Sequence, residues 1–125
     1  MTMKKEKRAY PRIQSDWRLF LAVGGLQKPI GYVKDISLTG ALLFFTEEYE
    51  LDPDKHRFTL KFKNPQLDPS ELVISGLKEW EKREKNEIFL GITLEKLEKE
   101  KRTVFIHFLS RSDKLQAQAF LLEVA

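Results

Sequence analysis

The chain has 125 residues, 42% of them hydrophobic and 33% charged, a balance that excludes a disordered polymer and suffices for one domain with a sizeable core. It has no cysteine, which excludes disulfides, a thiolate nucleophile and thiolate metal sites. The net charge is +3, but Lys4, Lys5, Lys7, Arg8 and Arg12 against Glu6 give residues 1–12 a balance of +4, so the remaining residues sum to −1. A basic arm on a near-neutral body suits a small anionic partner or one anion-facing surface. It speaks against a nucleic-acid coat, which wants a basic face across the fold.

Residues 1–7 are expected to be a flexible basic arm, and residues 8–125 one domain. No apolar run follows the basic start, so neither a signal peptide nor a membrane span is expected, and a cytoplasmic location is the expectation. In Arg8-Ala9-Tyr10-Pro11-Arg12, proline removes a backbone donor and drives Tyr10 into an extended conformation. On an extended arm Arg8 and Arg12 share a side and lie about 13 Å apart, at about 3.3 Å per residue. They could therefore meet two parts of one ligand.

Trp17–Val23 is predicted to be a strand, closed by Gly24-Gly25, a hairpin signal. Ile30–Ile36 and Ala41–Thr46 are the next strands, and 47–55 is a loop. Arg57–Phe62 alternates as a half-buried strand, with Phe58, Leu60 and Phe62 on one side. Residues 64–70, with Pro65 and Pro69, form a longer connection before a fifth strand, Leu72–Trp80. Glu81–Asn86 is a charged turn, and Ile88–Leu94 a sixth strand. From Glu95 the period changes, and Leu97, Val104, Phe105, Phe108 and Leu109 fall on one helical stripe, predicting a helix over 96–110. That stripe is read as core, with a homodimer seam as the alternative. Leu115–Ala125 is a second short helix or a tail packed on the barrel. Thus the expected fold is all-β with an appended helix: a six-stranded antiparallel barrel over about 13–95, a C-terminal helix, and a tail at 111–125.

Catalytic constellations are missing from the sequence. His56 and His107 are isolated, with no metal-ligand spacing and no nucleophile elbow, so no catalytic residue, resident metal or cofactor is expected. Trp17 and Trp80 are read as core residues. The informative stretch is Asp35-Ile36-Ser37-Leu38-Thr39-Gly40. Asp35 and Ser37 are two apart, so on an extended chain both leave by one face. Gly40 marks where the chain turns or lets something approach bare backbone. Asp, Ser and Gly are also ordinary hairpin residues, so the hexapeptide alone leaves a plain turn and a ligand seat both open.

Arg-x-x-x-Arg (Arg8 and Arg12), a strand pair, and then Asp-x-Ser-x-x-Gly (Asp35, Ser37 and Gly40) together resemble the PilZ domain, a bacterial receptor for the second messenger cyclic di-GMP. The resemblance extends through Glu79-Trp80, Phe89-Leu90-Gly91-Ile92 and the Glu/Lys-rich helix, covering about residues 7–110. It implies a PilZ-type barrel that binds cyclic di-GMP without catalysis. The arm folds over the ligand, the Asp-Ser-Gly strand end forms the floor, and the ordered arm signals to a protein effector. Lys7 is a further ligand candidate. Many members carry arginine there, and that position bears on whether one ligand or a stacked pair is bound, so the stoichiometry stays open. Lysine keeps the charge without the stacking fork.

The residue chemistry fits such a ligand. Arginine offers a planar fork to phosphate oxygens and guanine edges, and a face that stacks on bases. Asp35 can accept from guanine N1–H and N2–H₂, Ser37 can reach phosphate or a base edge, and Gly40 allows close approach. Two other readings remain: a PilZ-like interaction adaptor that has lost the ligand, and a barrel binding single-stranded nucleic acid through the arm and aromatics.

Overall fold

The structure is a computed structural model that describes residues 13–23, 25–46, 54–110 and 118–122. β1 (Ile13–Val23) and β2 (Leu26–Ile36) form an antiparallel hairpin in which Val23 pairs with Leu26. Gly25 adopts φ 87° there, a value that glycine reaches without a side-chain clash. β3 (Gly40–Phe45) returns along β2, and β4 (Arg57–Lys63) keeps the expected alternation, with Phe58, Leu60 and Phe62 buried. β5 (Glu71–Glu84) and β6 (Glu87–Leu94) form a second hairpin, with Glu84 facing Glu87 across Lys85-Asn86. The predicted charged turn is therefore mostly strand. Its charges are carried on an exposed ribbon, with Lys82 and Glu84 paired at 2.9 Å.

α1 (Lys99–Ser110) follows, then β7 (Gln118–Leu122). The sheet closes in the order β1-β2-β3-β6-β5-β4-β7. The barrel thus has seven strands rather than six, and it is not wholly antiparallel, because β7 runs parallel to β1 and antiparallel to β4. β7 lies in the segment expected to be a helix or packed tail. Its three central residues, Ala119, Phe120 and Leu121, are all buried, so it shows no alternation. A short continuous apolar run cannot be told from a buried helix by periodicity. The parallel pairing is possible because a long connection containing α1 carries the chain back to the start of the sheet.

Inward side chains fill one core, to which Trp17, Phe45, Phe58 and Phe62 contribute the largest buried volumes. α1 stops one end of the barrel. Phe105 packs on Phe62 with ring centroids 5.6 Å apart, and Phe62 meets Trp17 edge-on at 5.5 Å. Phe105, Phe108 and Leu109 are buried, as the core reading of the stripe requires. Leu97 is buried too, but it precedes the helix, which starts at Lys99. Glu98 acts as the helix entry: its carbonyl accepts from Arg102 N–H at 2.8 Å. Lys101 and Glu95 (3.0 Å) tie the first turn to the end of β6. His107 is exposed in the last turn. No helix among the described residues is long and apolar enough to cross a membrane.

Candidate functional site

The Asp35–Gly40 hexapeptide makes the tight connection between β2 and β3. Ile36 pairs with Ala41, and Ser37 N–H donates to Gly40 O at 2.8 Å. Thr39 O accepts from Leu94 N–H at 2.9 Å, which fastens the turn to β6. Leu38 turns inward and is buried, whereas Thr39 is exposed.

Ser37 and Asp35 do not share a face. Ser37 is fully buried, its Oγ accepting from Thr39 N–H at 3.2 Å and lying 3.3 Å from Thr39 Oγ1. Its hydroxyl is engaged within the turn, as in a side-chain-stabilised turn of the Ser/Thr type. Asp35 is half-buried on the outer surface. β2 ends at Ile36, so the pleat that would align Ser37 with Asp35 stops there and Ser37 belongs to the turn. A β-bulge sets the direction of Asp35 itself: Val33 pairs with Leu43 and Asp35 with Leu42, so Lys34 is an extra residue in β2. A bulge shifts the alternation by one, which sends Asp35 outward while Val33 and Ile36 both face the core.

From Asp35 one lateral row crosses the outer face: Asp35 pairs with Leu42, Leu42 with Gly91, and Gly91 with Trp80. A second bulge brings in the far end. Lys78 pairs with Ile92 and Trp80 with Gly91, so Glu79 is the extra residue in β5. By the alternation of Leu72, Ile74 and Gly76, Trp80 would face the core; the bulge turns it out, and it is 49% exposed. The reading of Trp80 as core is therefore overturned, while Trp17 is buried as expected. The indole lies against the bare backbone of Gly91, in the space that a Cβ there would occupy. Glu79 accepts from Thr93 Oγ1 at 2.7 Å, which fixes its carboxylate against β6.

These groups surround an open hollow of about 410 Å³ at the β2–β3 turn, within the range of about 300–1,000 Å³ usual for small-ligand sites. Asp35, Thr39 and Gly40 form one wall, Glu79 and Trp80 the other, and Gly91 part of the floor. Gly40 opens β3 opposite Thr93 without a positive φ, so its part is bare backbone at the rim rather than a left-handed turn. Ser37 does not line the hollow. Among the described residues lining it there are carboxylates but no cation. Such a surface accepts hydrogen bonds from N–H donors and offers an aromatic face, but by itself it repels phosphate. A neighbouring apolar hollow of about 290 Å³ shares Thr39 and Thr93 as a common wall and runs beneath α1 to Arg102.

Lys7, Arg8 and Arg12 lie outside the described residues. What is fixed is where their segment joins the barrel: Ile13 is registered opposite Ile36, and Gln14 opposite Asp35. β1 therefore begins at the hexapeptide end of the sheet. Trp80, Glu79 and Thr93 were not singled out as site residues from the sequence. Two signals were available: the resemblance ran through Glu79-Trp80, and a glycine in a strand interior, here Gly91, often marks close approach by another group. No family model matches this chain, and no curated protein matches it.

Proposed function

We propose that the chain is a non-catalytic receptor of the PilZ kind for cyclic di-GMP, with Arg8 and Arg12 closing over a ligand seated at the Asp35–Gly40 turn. The observation that carries this reading is the position of the 410 Å³ hollow. It is walled by Asp35 and Gly40 of one motif and stands at the strand end where the segment holding the other motif joins Ile13. Arg12 is one peptide from Ile13, about 3.8 Å from Cα to Cα, and Ile13 faces Ile36.

The charges divide the labour. Among the described residues the lining is acidic and neutral, so it suits the N1–H and N2–H₂ edge of guanine and leaves the two phosphates to Arg8, Arg12 and Lys7. Ser37 contributes by holding the turn in shape, Asp35 by accepting from the base, and Gly40 by leaving room. Ligand capture by the arm would present a new surface to a protein effector, which is how such a receptor signals. Calorimetry with cyclic di-GMP tests this: binding at micromolar affinity or better is expected, and Arg8→Ala, Arg12→Ala and Asp35→Ala should each weaken it by at least about 1.5 kcal/mol, the scale of a charged hydrogen bond.

A second reading, a ligand-free interaction adaptor, draws on the exposed apolar residues of β5: Val73 (41%), Leu77 (48%) and Trp80 (49%). Absence of binding heat in the same titration would favour it.

A further inference from the structure

We propose that the outer face of β4, with the strands beside it, β5 and β7, docks on an anionic lipid surface. Neither β4 nor β7 lines the hollow of Asp35 and Gly40, so this surface is separate from the ligand seat and does not depend on the receptor reading. Three observations carry it. The first is charge. β4 points Phe58, Leu60 and Phe62 inward, so Arg57, Thr59, Lys61 and Lys63 share its outer face. Lys63 is registered beside Gln118 of β7, and Gln118 beside Arg18 of β1. Arg18, Arg57, Lys61 and Lys63 thus stand on one side of the barrel, and among the residues registered directly against β4 only Glu71 is acidic. None of the four cations is held in an ion pair among the described residues. The chain beyond residue 12 sums to −1, but its charges are sorted by strand rather than mixed.

The second is apolar surface between the cations. Arg57 pairs with Leu77 and Lys61 with Val73, and these two apolar side chains are 48% and 41% exposed. On the other flank Lys61 pairs with Phe120, its ammonium 5.2 Å from the ring centroid, and Phe120 stacks on Phe20 at 5.5 Å. The third is spacing. At about 3.3 Å per residue, Lys61 and Lys63 lie about 7 Å apart and Arg57 about 13 Å from Lys61. Fluid headgroups can move to meet cations at such spacings, while the apolar side chains between them enter the boundary of the acyl chains. A protein partner would draw on a contiguous desolvated cluster, but here Val73 and Leu77 are separated by Ser75 and each stands beside a cation. A nucleic-acid strand would want an open aromatic face for its bases, and Phe120 is 2% exposed.

The test is sedimentation of the full chain with vesicles of phosphatidylcholine mixed with phosphatidylglycerol, beside vesicles of phosphatidylcholine alone. Binding to the mixed vesicles is expected, weakened by added salt as exposed charges are screened, with little binding to the neutral ones. Arg57→Gln and Lys63→Gln should each lower the partition coefficient about fivefold, the effect of one cation near a charged membrane, and both should melt close to the wild type. Leu77→Asn should weaken binding while leaving its salt dependence unchanged, which separates the apolar contribution from the charge. Residues 1–12 are basic as well, so Lys4→Gln combined with Lys5→Gln controls for attraction through that segment. Absence of binding to the mixed vesicles would overturn the proposal, even if an acidic peptide or an oligonucleotide bound instead. So would equal binding to neutral vesicles, or binding that Arg57→Gln and Lys63→Gln leave intact while the Lys4 and Lys5 substitutions abolish it.

Discussion

Replacing Ser37 by alanine separates a residue that shapes the site from one that touches the ligand. Ser37 is fully buried, and its hydroxyl serves Thr39 twice, accepting from Thr39 N–H at 3.2 Å and lying 3.3 Å from Thr39 Oγ1. Each such bond contributes about 0.5–1.5 kcal/mol net. Thr39 is exposed, so water can take up its N–H once the hydroxyl is gone, which puts the total at the low end. The backbone bond from Ser37 N–H to Gly40 O at 2.8 Å is unaffected. The expected loss is therefore about 1 kcal/mol of stability, or about 3–5 °C in melting temperature for a chain of this size. Affinity for cyclic di-GMP should fall only about threefold, since Asp35 and Gly40 stay on the same strands and no direct contact is lost. Denaturant unfolding and calorimetry on the same preparation read the two quantities. Unchanged stability together with a tenfold or greater loss of affinity would refute the reasoning, because Ser37 would then act on the ligand and not on the turn.

Further outcomes follow from other parts of the structure. Leu121 is fully buried on β7, between Leu21 of β1 and Leu60 of β4. Leu121→Ala should cost about 2–5 kcal/mol in urea unfolding, as for other leucines truncated in a core; an unchanged midpoint would contradict closure of the barrel by β7. Asp35→Ala should erode the preference for cyclic di-GMP over cyclic di-AMP more than Arg12→Ala does, measured as the ratio of the two dissociation constants. Equal ratios in the two variants would remove base reading from Asp35.

The pairing of Glu95 with Lys101 predicts a pH dependence. Burial pushes the Glu95 carboxyl up, but hydrogen bonds from Lys101 and the Ser75 backbone, with the charges of Lys101 and Arg57, outweigh it and hold it below its ordinary value of 4.5. A carboxyl lowered in the folded state adds stability above its unfolded value and loses it as pH falls through the folded one. Lys101→Ala should therefore melt below the wild type at pH 7, by less than about 1 kcal/mol for so exposed a pair, and the gap should close in acid. A gap that widened in acid would contradict the assignment.

How far the sequence could be read depended on how regular each element was. Arg57–Lys63 and Glu87–Leu94 alternate without interruption, and both strands were legible from side-chain type alone. The helix stripe of Phe105, Phe108 and Leu109 was equally plain. β7 was missed because a strand buried across its centre has no period of two. The site was half legible. Asp35 and Gly40 stood in a recognisable spacing and do line the hollow. The same spacing put Ser37 on the face of Asp35, which assumed that the strand ran on past Ile36, and Trp80 was read as core from its residue type. β2 ends at Ile36 and Ser37 folds into the turn. The extra residues Lys34 and Glu79 shift the registers of β2 and β5 and turn Asp35 and Trp80 outward, and nothing in either residue type announces a bulge. Long-range pairing sets those registers, since each is fixed by the neighbouring strand on which it must close.

The most direct test of the receptor reading is calorimetric titration of the full chain with cyclic di-GMP beside its Arg12→Ala variant, at one salt concentration and with the molar ratio recorded. The account predicts saturable binding at micromolar affinity or tighter for the wild type, a loss of about tenfold or more in the variant, and a whole-number ratio that tells whether Lys7 accompanies one ligand or a stacked pair. Absence of binding by the folded wild type, or equal affinity in the two proteins, would contradict it.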